Sequence, residues 1–132
     1  MHIVICLDDR NGIQFNRRRL SSDRAVSARI LEMATGNLWM SPNSVKLFPD
    51  ARLCADEDYL NQARAGDTCF AENLDFLNYM DKAESITVYR WNRTYPSDTK
   101  VPADVFASWI LTQSTDFPGN SHETVTEERY IL

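Results

Sequence analysis

Apolar and polar positions along this chain alternate between short buried runs and amphipathic stretches. His2-Ile3-Val4-Ile5-Cys6-Leu7 is an almost unbroken apolar run, the pattern of a strand covered on both faces. It stops at Asp8-Asp9-Arg10-Asn11-Gly12, a turn signal. Ser21-Ser22-Asp23 offers N-caps for a helix to about Ala34, with Val26, Ile30 and Met33 on one face and Gly36 as its left-handed terminator. Asn37 to Met40 predicts a second strand, Ser44 to Phe48 a helical turn closed by Pro49, and residues 51–55 a third strand. Asp56-Glu57-Asp58 caps a predicted helix to Ala65, ahead of Gly66. Thr68 to Ala71 predicts a fourth strand and Leu74 to Met80 a short helix. Ser85 to Trp91 then alternates with period 2. Ser108 to Gln113 and Glu123 to Ile131 predict two more strands, joined by the turn-rich Asp116-Phe117-Pro118-Gly119-Asn120. Strands alternate with helices first and dominate at the end. That order predicts an α/β fold: a mainly parallel sheet flanked by helices, with an antiparallel C-terminal strand pair. The absence of low-complexity or linker sequence predicts one domain over residues 1–132.

Composition narrows the function classes. With 132 residues, 43% hydrophobic and 25% charged, the chain has globular values, which argues against a disordered or collagen-like protein. No apolar run reaches the roughly 18 residues of a membrane span, and the N-terminus lacks a basic segment followed by a long apolar one. The expectation is a cytoplasmic protein without a membrane partner. The net charge of −5 is uneven, +2 over residues 1–50 and −7 over residues 51–132, a balance that disfavours nucleic-acid backbones. Cys6, Cys54 and Cys69 are odd in number and widely spaced, as expected of buried thiols in a reducing compartment.

Candidate chemistry is sparse. Arg17-Arg18-Arg19 is the one basic cluster, suited to bidentate contact with a phosphate or carboxylate. Glu72-Asn73 follows a central strand at its carboxyl end, where open α/β sheets place ligands, and equally suits a cap for the helix from Leu74. His2 and His122 are too far apart for a local metal motif. His122, flanked by Ser121 and Glu123, imitates part of a nucleophile–base set but lies beside a hairpin turn, where a structural role is expected.

The order of landmarks resembles dihydrofolate reductase. Ile3 to Ile13 is similar to that family's first strand and the start of its mobile loop. Ile30-Leu31-Glu32-Met33 before Leu38-Trp39-Met40 resembles its first helix and following strand. The segments Asp81 to Tyr89, Tyr95 to Pro102 and Ser108-Trp109 follow the family's later progression. The resemblance implies an acid at the start of the first helix, for which Asp23 is the nearest match, and a pterin pocket near Tyr89. It also implies a pair of glycines beside a dinucleotide pyrophosphate; this chain has Ala71-Glu72-Asn73 there, with a carboxylate where phosphates would lie. Met40-Ser41-Pro42-Asn43-Ser44 replaces a segment that carries a cation in the family, and the stretch from Phe48 to Ala51 is too short for its adenosine-binding loop. No cofactor is therefore expected.

These residues lead to a non-reductase binding protein whose residual cleft holds a small anionic ligand or a protein segment. Arg17, Arg18 and Arg19 would supply charge, Asp23, Glu72 and Asn73 polar specificity, and Trp39 and Tyr89 the walls. Two alternatives stay open at this level. One is a compact acidic regulator acting on a basic protein partner; the other is an enzyme of altered chemistry with Asp23 or Glu72 as acid or base.

Overall fold

A computed structural model describes residues 1–49 and 52–132. In chain order it contains β1 (His2–Leu7), β2 (Gly12–Phe15), β3 (Arg18–Arg19), α1 (Arg24–Met33), β4 (Leu38–Met40), a 3₁₀ helix (Pro42–Leu47) and β5 (Cys54–Ala55). There follow α2 (Tyr59–Gln62), β6 (Thr68–Phe70), a second 3₁₀ helix (Leu74–Lys82), β7 (Ser85–Arg90), β8 (Thr99–Lys100), β9 (Ile110–Pro118) and β10 (Thr124–Ile131).

The main sheet has the order β5-β4-β6-β1-β7-β10-β9. Pairing is parallel from β5 to β7, whereas β10 runs antiparallel to β7 and to β9. This is the mainly parallel α/β sheet with an antiparallel C-terminal pair that the sequence order predicts.

The central strands are apolar on both sides because each side meets a different layer. Along β1, Ile3, Ile5 and Leu7 enter one core cluster while Val4, with Cys6 at its margin, enters the other. β7 and the residue after it split the same way, Ile86 and Val88 against Tyr89 and Trp91. The first cluster is covered by Tyr59 and Leu60 of α2 and by Phe76 of the second 3₁₀ helix; the second is covered by Val26 and Ile30 of α1. A period-2 strand with both faces occupied reads as a continuous hydrophobic run, which is what residues 2–7 display.

The departures from expectation lie in the short elements. The helix predicted from Asp56 to Ala65 is reduced to Tyr59–Gln62, and Asp58 makes no side-chain cap bond. The turn at Ser44–Phe48 begins two residues earlier, with Ser41 accepting from the Asn43 N–H and Pro42 in the first turn. The third strand is confined to Cys54–Ala55, and Ala51 lies outside the described residues. β9 extends through the predicted turn to Pro118, which an edge strand tolerates because its missing N–H has no ladder partner to lose. A second small sheet, β3-β2-β8, was not expected. Its β2–β3 hairpin turns on Asn16 and Arg17, both at positive φ (51° and 60°), as a type I′ turn requires. Strands of two to four residues carry no detectable period.

The exit of α1 is fixed by a buried acid. Asp67 accepts hydrogen bonds from the backbone N–H groups of Asn37 and Arg64 and from the indole N–H of Trp39. Gly36 sits against it at φ +61°, where a Cβ would come within 2.5 Å of the Asp67 carboxylate and 2.8 Å of the Gly66 carbonyl oxygen. Gly36→Ala is expected to cost about 2 kcal/mol, from left-handed strain plus contact, read as a lowered urea midpoint at unchanged slope.

Candidate functional site

Two cavities meet at the carboxyl ends of β1 and β6, and one ion pair forms the wall between them. Arg19, brought inward by the β2–β3 hairpin, donates from Nε to Glu72 Oε2 (2.6 Å) and from Nη2 to Glu72 Oε1 (2.8 Å), a bidentate fork. The same Nη2 donates to the Asn43 carbonyl (2.9 Å), and the Ser44 hydroxyl donates to Glu72 Oε1. Only about a fifth of either charged side chain is exposed, 22% for Arg19 and 18% for Glu72. The hydrogen bond that Arg19 donates to Glu72 is the main cause of a raised Arg19 pKa. Both members also line the cavities on either side.

On the inner side, Cys6, Ile13, Val26, Ile30, Phe70 and Trp91 leave only about 20 Å³, room for one water molecule. That volume is too small to hold a pterin. On the outer side is an open groove of about 580 Å³ carrying Arg17, Arg18 and Lys46, together with Ser41, Ser44 and Asn73. Arg17 and Arg18 are exposed, at the hairpin tip and on its second strand. Asn73 spends its side-chain oxygen on the Asp75 N–H as the cap of the second 3₁₀ helix. The structure thus gathers Arg17, Arg18, Arg19, Glu72 and Asn73 around one groove. Lys46 was missed by sequence reasoning; it projects from the helix that follows β4, and no spacing links it to residues 17–19.

Asp23, Trp39 and Tyr89 are placed differently. Trp39 hydrogen-bonds Asp67 and packs against the first core cluster, while Tyr89 is fully buried with its hydroxyl donating to Glu127 Oε2 (2.8 Å); neither lines the groove or the inner cavity. As cleft walls they are corrected: each side chain is consumed by a buried carboxylate.

Asp23 caps α1, accepting from the Ala25 N–H, but its carboxylate chiefly holds the β9–β10 connection. It accepts from the backbone N–H groups of Asn120, Ser121 and His122 and from His122 Nδ1 at 2.9 Å. Gly119 permits this approach: a Cβ there would lie 2.9 Å from Asp23 Oδ2 and 2.5 Å from the His122 carbonyl oxygen. Burial alone would raise the Asp23 pKa, yet the hydrogen bonds from Asn120, His122, Ser121 and Ala25 prevail and hold it at about 2. A general acid at neutral pH needs the opposite shift, so Asp23 is not a proton donor of the kind the altered-chemistry alternative requires. Since an ionised carboxylate cannot donate, His122 Nδ1 carries the proton, and His122 Nε2 faces the hydroxyls of Tyr95 (2.7 Å) and Ser21 (3.2 Å). Sequence neighbours suggested Ser121 and Glu123 as companions of His122; its partners are residues 21, 23 and 95, which no local spacing reveals.

No family model matches the chain, and no curated protein sequence matches it. Solved structures do. A dihydrofolate reductase from Enterococcus faecalis, complexed with NADP(H) and RAB-propyl, superposes with a TM-score of 0.70 at 12% identity, covering 98% of this chain and 94% of that one. The chain has the dihydrofolate-reductase-like fold, the class its sequence landmarks implied. The dinucleotide that this fold family implies does not fit the residues here. Ala71 is fully buried where a glycine pair is implied, and the Glu72 carboxylate is fixed in the groove wall by Arg19 and Ser44. A dinucleotide pyrophosphate lying against the end of β6, as the fold family implies, would meet that carboxylate. Among the described residues there is no cluster of His, Cys, Asp or Glu able to hold a metal ion, and no helix long and apolar enough to cross a membrane.

Because the folded-state pKa of Asp23 lies below the ordinary 3.8, this carboxylate adds stability above about pH 4 that drains away as the pH falls toward 2. Asp23→Asn is expected to remove up to about 2 kcal/mol at pH 7 and to flatten stability between pH 4 and 2, measured by urea unfolding across that range.

Proposed function

We propose that this chain is a single-domain, non-reductase binding protein built on the dihydrofolate-reductase-like fold, and that its outer groove takes a small anionic ligand. The observation that carries the reading is charge placement. A chain with a net charge of −5 sets Arg17, Arg18, Arg19 and Lys46 around one groove, and among the described residues the one carboxylate that lines it, Glu72, is already paired with Arg19. Arg17, Arg18 and Lys46 then remain to meet a ligand, and the Ser41 hydroxyl and Asn43 side chain stand beside them. A volume of about 580 Å³ falls within the range of small-molecule sites. The planar forks of two arginines favour carboxylate or phosphate groups over other anions.

The inner cavity, at about 20 Å³, supports no pterin-sized ligand. Three free thiols, with Cys69 pushed up to about 12 mainly by burial, accord with a reducing compartment such as the cytoplasm.

Thermal-shift measurements with pyrophosphate and citrate test the groove. A ligand at a hundredfold its Kd adds about 2.7 kcal/mol, a rise of several degrees in Tm. The rise is expected to vanish in the double variant Arg18→Glu, Lys46→Glu, and persistence of the shift there would place the anion elsewhere. NADPH fluorescence is expected to stay unchanged at high protein concentration; saturable enhancement would overturn the exclusion of the dinucleotide.

A further inference from the structure

On the far side of the Arg19–Glu72 wall, and independent of the groove, lies a second constellation that the binding reading does not use. Ser21 Oγ is 3.2 Å from His122 Nε2, and His122 Nδ1 is 2.9 Å from Asp23 Oδ2. The order is hydroxyl, imidazole, carboxylate, with the carboxylate and imidazole both buried (side chains 0% and 2% exposed) and Ser21 only half-buried where it lines the inner cavity. Each link is positioned from outside the trio. Three backbone N–H groups and the α1 cap fix the Asp23 carboxylate, so the imidazole meets a rigid acceptor that fixes its tautomer. Trp91 stacks on the ring at 4.5 Å with planes 19° apart, holding Nε2 toward Ser21 and Tyr95. A buried histidine that is hydrogen-bonded to a carboxylate on one nitrogen and faces a serine on the other is more than α1 needs for capping, since the Asp23–Ala25 bond does that alone.

We propose that Ser21 is an activated nucleophile, with His122 as its general base and Asp23 as a positioning residue, reactive toward short-chain carboxylic esters. The Ser21 oxygen forms a bond to the acyl carbon while its proton passes to His122 Nε2. The ester C–O bond breaks, and the same proton moves to the departing alkoxide, releasing an alcohol and leaving Ser21 acylated. Water repeats the sequence, yielding the free acid and restoring the serine. Acyl size is set by the cavity that Ser21 lines: about 20 Å³ among Val26, Phe70 and Trp91 admits a methyl-sized group, so acetyl esters fit and longer chains do not. The Tyr95 hydroxyl, 2.7 Å from His122 Nε2 and 3.3 Å from Ser21 Oγ, shares the nitrogen lone pair in the resting state.

Incubation of the folded chain with p-nitrophenyl acetate, followed by peptide mass spectrometry and p-nitrophenolate release, tests this. The expected result is one acetyl group on Ser21, with Ser22 and Ser121 unmodified, and saturable release of p-nitrophenolate. Ser21→Ala, a small change at a half-buried site, removes both signals, while Ser22→Ala retains them. His122→Gln lowers the maximal rate about a hundredfold with an unchanged half-saturating ester concentration. Asp23→Asn, assayed at neutral pH where urea unfolding shows it still folded, shows the same split, because in the reaction the carboxylate acts through the ring and touches no substrate. p-Nitrophenyl hexanoate is expected to acylate Ser21 at least about tenfold more slowly than the acetate. Absence of a Ser21 adduct in folded protein, equal labelling of Ser21 and Ser22, or an unchanged rate in His122→Gln overturns the proposal.

Discussion

The buried carboxylate of Asp23 is the constraint on which the rest of the cleft region depends. One side chain caps the helix that covers the second core cluster, gathers the β9–β10 connection through three backbone N–H groups, and orients His122. Its neighbours in sequence, residues 21 and 22, and the hairpin carrying Arg19 are thereby set at a fixed distance from the carboxyl ends of β1 and β6. A carboxylate so fully hydrogen-bonded stays ionised at neutral pH, and it acts as an anchor rather than a reagent.

The Arg19–Glu72 pair divides what would otherwise be one cleft. The fork is largely buried and satisfies its own charges, so neither member is available to a ligand without the other being left unpaired. Beyond the wall the apolar side has closed to about one water, while the polar side stays open and cationic. The fold is shared with dihydrofolate reductase; the surfaces at the sheet's carboxyl ends are this chain's own, and fold alone does not carry function across.

Much of the fold was legible in the sequence because its signals are local. The apolar run of residues 2–7, the alternation of residues 85–91 and the Asp23 cap each specify an element without reference to distant residues. The helix from Asp56 failed because a run of acids resembles a cap whether or not the turn continues. The hairpin at Asn16–Arg17 escaped because two-residue strands are defined by their partners. At the site, charge clustering exposed Arg17 to Arg19 and strand-end position exposed Glu72. Trp39 and Tyr89 were misplaced because an aromatic residue beside a cleft in sequence can face the core instead. His122 and Ser21, 101 positions apart, are joined only through the sheet.

The two margins of the main sheet are unequal. At one end β5 is two residues long; at the other, β9 offers nine residues whose outer edge pairs with no strand among the described residues, and Ile110 and Leu111 near its start are exposed. A strand added along that longer edge builds outward from β9, four strands away from β6, which leads into the groove. Chains that associated edge to edge would grow on one flank while their cationic mouths stayed open to solvent.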